Sequence, residues 1–327
     1  MRRRVFLGTM LLPFGARAEK VDYPAVLPGK ILDFPRDHGA HPEHRIEWWY
    51  VTGWLGEARG FQVTFFRARP EEQSDNPSSF NPRQVLFAHA ALSDPARGRL
   101  VHAENAARAG LSLAGFELDR TAVWIDDWRF EQQGGRYACR ISADDLGFQL
   151  TFDSHGKPVP QGDNGFSRKG HRPHEASYYY SRPHMRVSGA VNGRPVTGEA
   201  WLDHEWSSAY LAPEAAGWDW TGINLFDGSS LMAFRMRDKA GGVHYAPPGA
   251  SFRALRHWTS PRTGATYPVS MEVNGLRLEP LMDDQELDSR ASTGTIYWEG
   301  AVRAYRGKTE VGRGYLELTG YWKPMTL

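Results

Sequence analysis

Along most of this chain, apolar and polar side chains alternate residue by residue, and that period commits it to half-buried β-strands. Phe61, Val63 and Phe65 alternate with Gln62 and Thr64, and Phe148, Leu150 and Phe152 with Gln149, Thr151 and Asp153; Trp128 and Phe130 keep the same spacing. Between such runs lie Asn192-Gly193, Asn274-Gly275, Asp227-Gly228 and Gly134-Gly135. These dipeptides suit tight hairpins, because Gly and Asn accept the positive φ that such turns require. Helical periodicity is nearly absent, and Pro213 to Ala216 could form no more than one turn. Many short antiparallel strands at this spacing predict an all-β barrel or sandwich.

The pattern repeats. Trp48-Trp49-Tyr50-Val51-Thr52-Gly53-Trp54-Leu55 leads through a turn to Phe65-Phe66-Arg67, and Trp218-Asp219-Trp220-Thr221-Gly222-Ile223-Asn224-Leu225 leads through Asp227-Gly228 to Phe234-Arg235. A second pair closes each half: Gly198 to Leu202, ending at Trp206, is similar to Gly314 to Leu318, ending at Trp322. Two related barrels explain this better than one large sandwich. The expected division is 19–208 for the first barrel and 209–327 for the second, with the link inside Ser207 to Gly217. Segments 71–82 and 154–176, rich in Pro, Gly, Asn and charge, read as long loops of the first barrel.

Residues 1–18 read as a signal peptide. Arg2, Arg3 and Arg4 are followed by a mostly apolar run from Val5 to Phe14, and Ala16-Arg17-Ala18 supplies small residues for cleavage. Arg3-Arg4-Val5-Phe6-Leu7 is similar to a twin-arginine signal, which places the mature chain in the periplasm or outside the cell. No later stretch approaches the ~20 apolar residues of a membrane helix, so no integral membrane segment is expected in the mature chain. The single cysteine, Cys139, cannot form an internal disulfide. With 39 basic against 38 acidic residues there is no electrostatic footprint for nucleic acid. The 12 Trp residues stand out instead, and point to a flat, apolar ligand.

Several motifs carry a family resemblance: His38-Gly39-Ala40-His41, Glu47-Trp48-Trp49-Tyr50-Val51-Thr52-Gly53, Tyr178-Tyr179-Tyr180-Ser181, Trp201-Leu202-Asp203-His204-Glu205-Trp206 and Trp218-Asp219-Trp220. Together they resemble the carotenoid 1,2-hydratase (hydroxyneurosporene synthase) superfamily over most of residues 30–325, and most nearly its exported branch labelled "predicted secreted hydrolase". The resemblance implies a tandem of two lipocalin-like antiparallel barrels. Some relatives add water to a carotenoid end group; others guide cyclisations or bind lipids.

Barrel closure sets the expected geometry. If 198–206 is the last strand of the first barrel, it pairs with the first, and Asp203 to Trp206 lie beside Glu47 to Tyr50. Asp203, His204, Glu205 and Glu47 are therefore the candidate catalytic groups. A carboxyl whose pKa is raised by apolar burial can protonate an alkene, and an indole face can stabilise the resulting cation. The same residues could equally serve only to close the barrel, with the acids paired to Arg. Trp49, Tyr50, Tyr178, Tyr180, Trp206, Trp218, Asp219 and Trp220 are the candidate ligand-binding residues, with core packing the simpler role for Trp49. Tyr178 to Tyr180 alternate sides on a strand, so at most two of them share a pocket.

His38, His41 and His44 with Glu47 recur every three residues, but Pro42 breaks a helix and on a strand this spacing alternates sides, so no metal is expected there. Neither a His-Glu-x-x-His nor a Gly-x-Ser-x-Gly motif occurs, and no cofactor is implied. The reading that follows is an exported lipocalin-like binder of an apolar lipid or isoprenoid-type molecule. The alternatives are a cofactor-independent hydratase or lyase acting on such a molecule and, behind it, a metal-dependent hydrolase.

Overall fold

The computed structural model describes residues 18–74 and 83–326. The chain is nearly all β, in two curled antiparallel sheets, the first an almost closed barrel and the second a half-barrel. All but the last residue of the expected signal segment 1–18 lies outside the described residues, as does most of the expected loop 71–82; of that loop, Glu72–Ser74 forms a short strand.

The first sheet runs, neighbour to neighbour, through Val101–Arg108, Val85–Ser93, Arg59–Ala68, Ile46–Leu55, Arg194–Ser207, Ala176–Val191, Gly147–Asp153, Arg136–Ser142, Trp128–Gln133, Ala122–Ile125 and Ala114–Phe116. The second runs Val243–Tyr245, Ser230–Asp238, Ala215–Leu225, Thr309–Leu318, Thr295–Arg306, Leu276–Pro280, Thr266–Val273 and Phe252–Thr259, with Glu286–Ser289 beside Thr295–Arg306. Each repeat thus takes the same place. Strands 46–55 and 215–225 open the long hairpins, and 194–207 and 309–318 pair with them. All four hairpin dipeptides sit at turns, and Asn192-Gly193 and Asn274-Gly275 both take positive φ (49° and 73°, 48° and 80°). Pro213-Glu214 forms a turn that leads directly into strand 215–225 rather than a helical turn.

Strand parity divides the side chains of 46–55 and 194–207 between two environments. Glu47, Trp49, Val51 and their partners Trp206, His204 and Leu202 face the inside of the first barrel. Large aromatic side chains pack in that interior: Trp49, Phe61, Phe65, Phe130, Tyr137 and Phe148 are all buried there. On the opposite face, Trp48, Tyr50, Trp54 and Trp201 pack against Trp220, Phe234, Ala301 and Tyr315 of the second sheet. The two sheets approach closely at Gly60, where an added Cβ would lie 2.4 Å from the Ala301 methyl. Trp54 Nε1 donates to Gly314 O (3.0 Å) and Trp220 Nε1 to Tyr179 Oη (3.0 Å), fastening one sheet to the other.

Candidate active site between the two sheets

The expected juxtaposition is present: Asp203 pairs with Tyr50, His204 with Trp49, Glu205 with Trp48 and Trp206 with Glu47. The alternation of the strand, however, separates the three ionisable neighbours. His204 turns into the first barrel with Glu47, whereas Asp203 and Glu205 turn outward toward the second sheet. The expected single cluster is therefore two clusters, back to back across one pair of strands.

The inner cluster is a continuous buried network. Glu47 Oε1 accepts from His41 Nδ1 and His204 Nε2, both at 2.8 Å, and Oε2 from Arg67 Nε and the His41 backbone N–H, both at 2.9 Å. His41 Nε2 reaches Asp37 Oδ1 at 3.0 Å, and His204 Nδ1 meets Tyr180 Oη at 3.1 Å. Tyr180 also touches His38 Nδ1 (2.9 Å), while Trp206 stacks on His41 at 3.7 Å. Burial alone would raise the Glu47 pKa, but His41, His204 and Arg67 outweigh it and hold the carboxyl well below the usual range. Burial pulls His41 down, yet the carboxylates of Glu47 and Asp37 raise it overall; His204, dominated by burial, is lowered. His38, His41 and His44 lie on a 3-10 turn and the coil after it, and only His41 bonds to Glu47.

The outer cluster lines a cavity of about 300 Å³ between the sheets, walled by Trp48, Tyr50, Phe66, Trp218, Trp220 and Tyr297. Its barrel-side acids are furnished with donors. Asp203 accepts from Ser181 Oγ (2.5 Å), Trp201 Nε1 (2.7 Å) and Tyr179 Oη (2.6 Å). Burial outweighs these bonds and pushes its pKa up to about 7. Glu205 Oε1 contacts the buried Lys169 Nζ at 2.7 Å and accepts from Ser177. Burial raises Glu205 and lowers Lys169, with each partner opposing the other's shift.

The acids of the facing wall are poorer in partners. Glu299 and Glu317 are cross-strand neighbours. Glu317 accepts from Trp218 Nε1 (3.0 Å) and is raised by burial to about 7. Glu299 is 2% exposed and neither carboxyl oxygen makes a hydrogen bond of sound geometry. Burial and then the charge of Glu317 push its pKa well above the ordinary value, which favours the protonated carboxyl.

Of the ligand-binding candidates, Tyr50, Trp218 and Trp220 line this cavity. Trp49, Tyr178, Tyr180 and Trp206 face the first barrel, because they share the parity of Glu47 and His204. Asp219 is turned away from the cavity and pinned by Arg235 and Arg237 at 2.7 and 2.8 Å. Tyr179, the middle tyrosine of the run, is the one at the acid. Sequence reasoning missed Lys169, Glu299 and Glu317. Lys169 comes from the expected 154–176 loop, which folds in through the short strand Phe166–Arg168. Glu299 had a legible signal: like Glu47, it is an acid inside an aromatic strand, Tyr297-Trp298-Glu299, and must pair or protonate there.

A nearly closed barrel joined to a half-barrel, with an acid-lined cavity at the seam, defines a lipocalin-like protein built on two curled antiparallel sheets. The AttH-like family description matches residues 25–321, and the chain belongs to that family. It is similar to the crystal structure of an AttH-type protein of Nitrosomonas europaea, at 48% identity and a TM-score of 0.84, over 91% of this chain and 99% of that one. Kievitone hydratase from Nectria haematococca shares the fold: 14% identity, TM-score 0.61, 93% and 98% of the two chains. No curated protein is matched by the chain.

Proposed function

We propose that the interdomain cavity binds a small, apolar, unsaturated molecule and adds water across its double bond without a cofactor. The observation that carries this reading is Glu299, a buried carboxyl that faces an aromatic cavity with the Tyr50 and Tyr297 hydroxyls beside it and no cation among the described residues to hold it ionised. When walls push the pKa values of two acids apart, the roles of donor and acceptor follow. Glu299 delivers its proton to one alkene carbon, the π pair becoming the new C–H bond. The cation left on the other carbon sits among indole faces, each contributing about 0.5–2 kcal/mol when desolvated. Water attacks that carbon and gives its proton to Asp203, whose carboxylate three donors stabilise. Lys169, beside Glu205, opposes the burial that raises that carboxyl. A proton transfer from Asp203 back to Glu299 completes the cycle, so the sum is alkene plus water.

The cavity is at the small end of the roughly 300–1,000 Å³ range of ligand pockets, which suits a compact molecule or the end group of a longer one. The fold is one that also serves a hydratase, kievitone hydratase. A panel of unsaturated terpenoids and lipids in ¹⁸O-water tests the reading by mass spectrometry. One member should gain labelled water, with Glu299→Gln and Asp203→Asn each slowing the gain about a hundredfold or more. Saturable quenching of Trp fluorescence with no labelled product from any binding compound would leave a carrier of apolar ligands, which the aromatic lining favours by itself. Export belongs to the same proposal: Arg3→Lys with Arg4→Lys should retain the precursor in the cytoplasm, and undiminished export would reject the twin-arginine route.

A further inference from the structure

The inner cluster, which the proposed chemistry does not use, has the composition and support of a metal site. We infer that His41, Glu47 and His204 bind one divalent transition-metal ion of the zinc type, behind the cavity wall. One ligand atom from each lies within 4.8 Å of the others, and all three residues are buried. Two imidazoles and one carboxylate are a donor set that suits zinc and its neighbours.

The outer contacts carry the inference further. A metal-bound histidine ordinarily donates its other ring N–H to a carboxylate, carbonyl or hydroxyl that fixes its orientation. Here His41 offers Nδ1 inward while Asp37 holds Nε2 at 3.0 Å. His204 offers Nε2 inward while Tyr180 Oη holds Nδ1 at 3.1 Å. Glu47 presents Oε1 to both rings, and Arg67 with the His41 N–H occupies Oε2, the oxygen an ion does not need. Trp206 and Trp49 stack on the two rings at 3.7 and 4.9 Å and fix their planes. Asp37 and Glu47 bring two negative charges to the site, with Arg67 bonded to Glu47 and Lys30 acting on Asp37 from farther off. Without an ion, ring protons fill the gap; as the ion enters, the protons on His41 Nδ1 and His204 Nε2 must leave, one to solvent and one by transfer to His204 Nδ1 or solvent. The ion ties residues 36–44 to strands 46–55 and 194–207, so its binding energy adds to folding.

Protein stripped with EDTA, then freed of it, is titrated with zinc chloride and with cobalt chloride. The rings of exposed His171 and half-buried His244 lie 5.3 Å apart, centroid to centroid, and could hold an ion by themselves, so the titrations use a His244→Ala background. The expected result is one ion per chain, visible cobalt bands of a nitrogen–oxygen site and a melting temperature several degrees higher. His204→Gln should lose affinity at least a hundredfold while keeping its β-sheet circular dichroism. If that variant fails to fold, Asp37→Asn decides, and must weaken affinity roughly ten- to a hundredfold. Glu299→Gln, in the separate cavity, must leave ion binding unchanged. Absence of binding to the folded wild type at millimolar ion overturns the assignment, as does binding that survives Asp37→Asn or a folded His204→Gln undiminished.

Discussion

Replacing Glu47 by Gln keeps the shape of the side chain and removes one charge from a fully enclosed ion pair in the first barrel. Arg67 and Glu47 are both fully buried, 2.9 Å apart. The remaining guanidinium contacts are neutral acceptors, the carbonyls of His41 and His44 and the side chain of Gln84. The substitution therefore leaves a buried cation with hydrogen bonds but no counter-charge, and turns one face of the new amide, an N–H₂, toward donors that previously met an oxygen. Breaking one partner of such a pair costs about 3–5 kcal/mol, a large share of the ~5–15 kcal/mol that holds an ordinary domain together. The pH dependence follows from the two groups that titrate. The folded-state pKa of Glu47 is depressed, so its stabilisation is present above about 4.5 and lost as pH falls through the lower folded value. His41 is raised from 6.5, so its contribution is present below 6.5 and lost as pH rises through its folded value. The gap between wild type and Glu47→Gln should then be widest between pH 4.5 and 6.5. It should narrow on the acid side, and settle on the alkaline side to what the Arg67 pair contributes. Urea titrations in EDTA at several pH values, read from the midpoint at constant slope, measure it. A gap below 1 kcal/mol at pH 6 would refute the reasoning and return Glu47 to the catalytic candidates.

Lys169→Met should remove the only cation bonded to Glu205 among the described residues and cost about 3–5 kcal/mol at pH 8. It should cost visibly less at pH 5, where Glu205 protonates in response, and pH-independent denaturation curves would argue against the pair. Glu299 is the reverse of an ordinary acid: its folded pKa is raised, so wild type should lose stability as pH rises above 4.5, the value at which the unfolded chain ionises. Glu299→Gln should flatten that slope, as followed by melting temperature between pH 5 and 8. Gly39→Ala would put its Cβ 2.1 Å from the Leu118 carbonyl oxygen, which must displace the His38–His41 turn at a cost of about 1–3 kcal/mol; a melting temperature within a degree of wild type would show that the contact yields freely.

Period two, four turn dipeptides and one repeat were enough to determine an all-β chain in two similar halves and to place 198–206 beside 46–55. These are local facts: alternation fixes which residues share a face, glycine and asparagine fix where a strand turns back, and barrel closure links first strand to last. The sequence also singled out Glu47, Asp203, His204 and Glu205 as acids and a base set among aromatics. What it could not supply is which face is full and which is hollow. Parity says that Asp203 and Glu205 oppose His204, but only the tertiary structure shows Phe61, Phe65, Phe130 and Phe148 packed inside the barrel and a cavity on the other face, between the sheets. Lys169 reaches Glu205 from a folded-in loop, and Glu299 and Glu317 reach that cavity from the second sheet, roughly a hundred residues beyond the motifs in the latter case. Their protonation depends on desolvation by residues remote in the chain, so the chemistry of the site exists only once the two sheets have closed on one another.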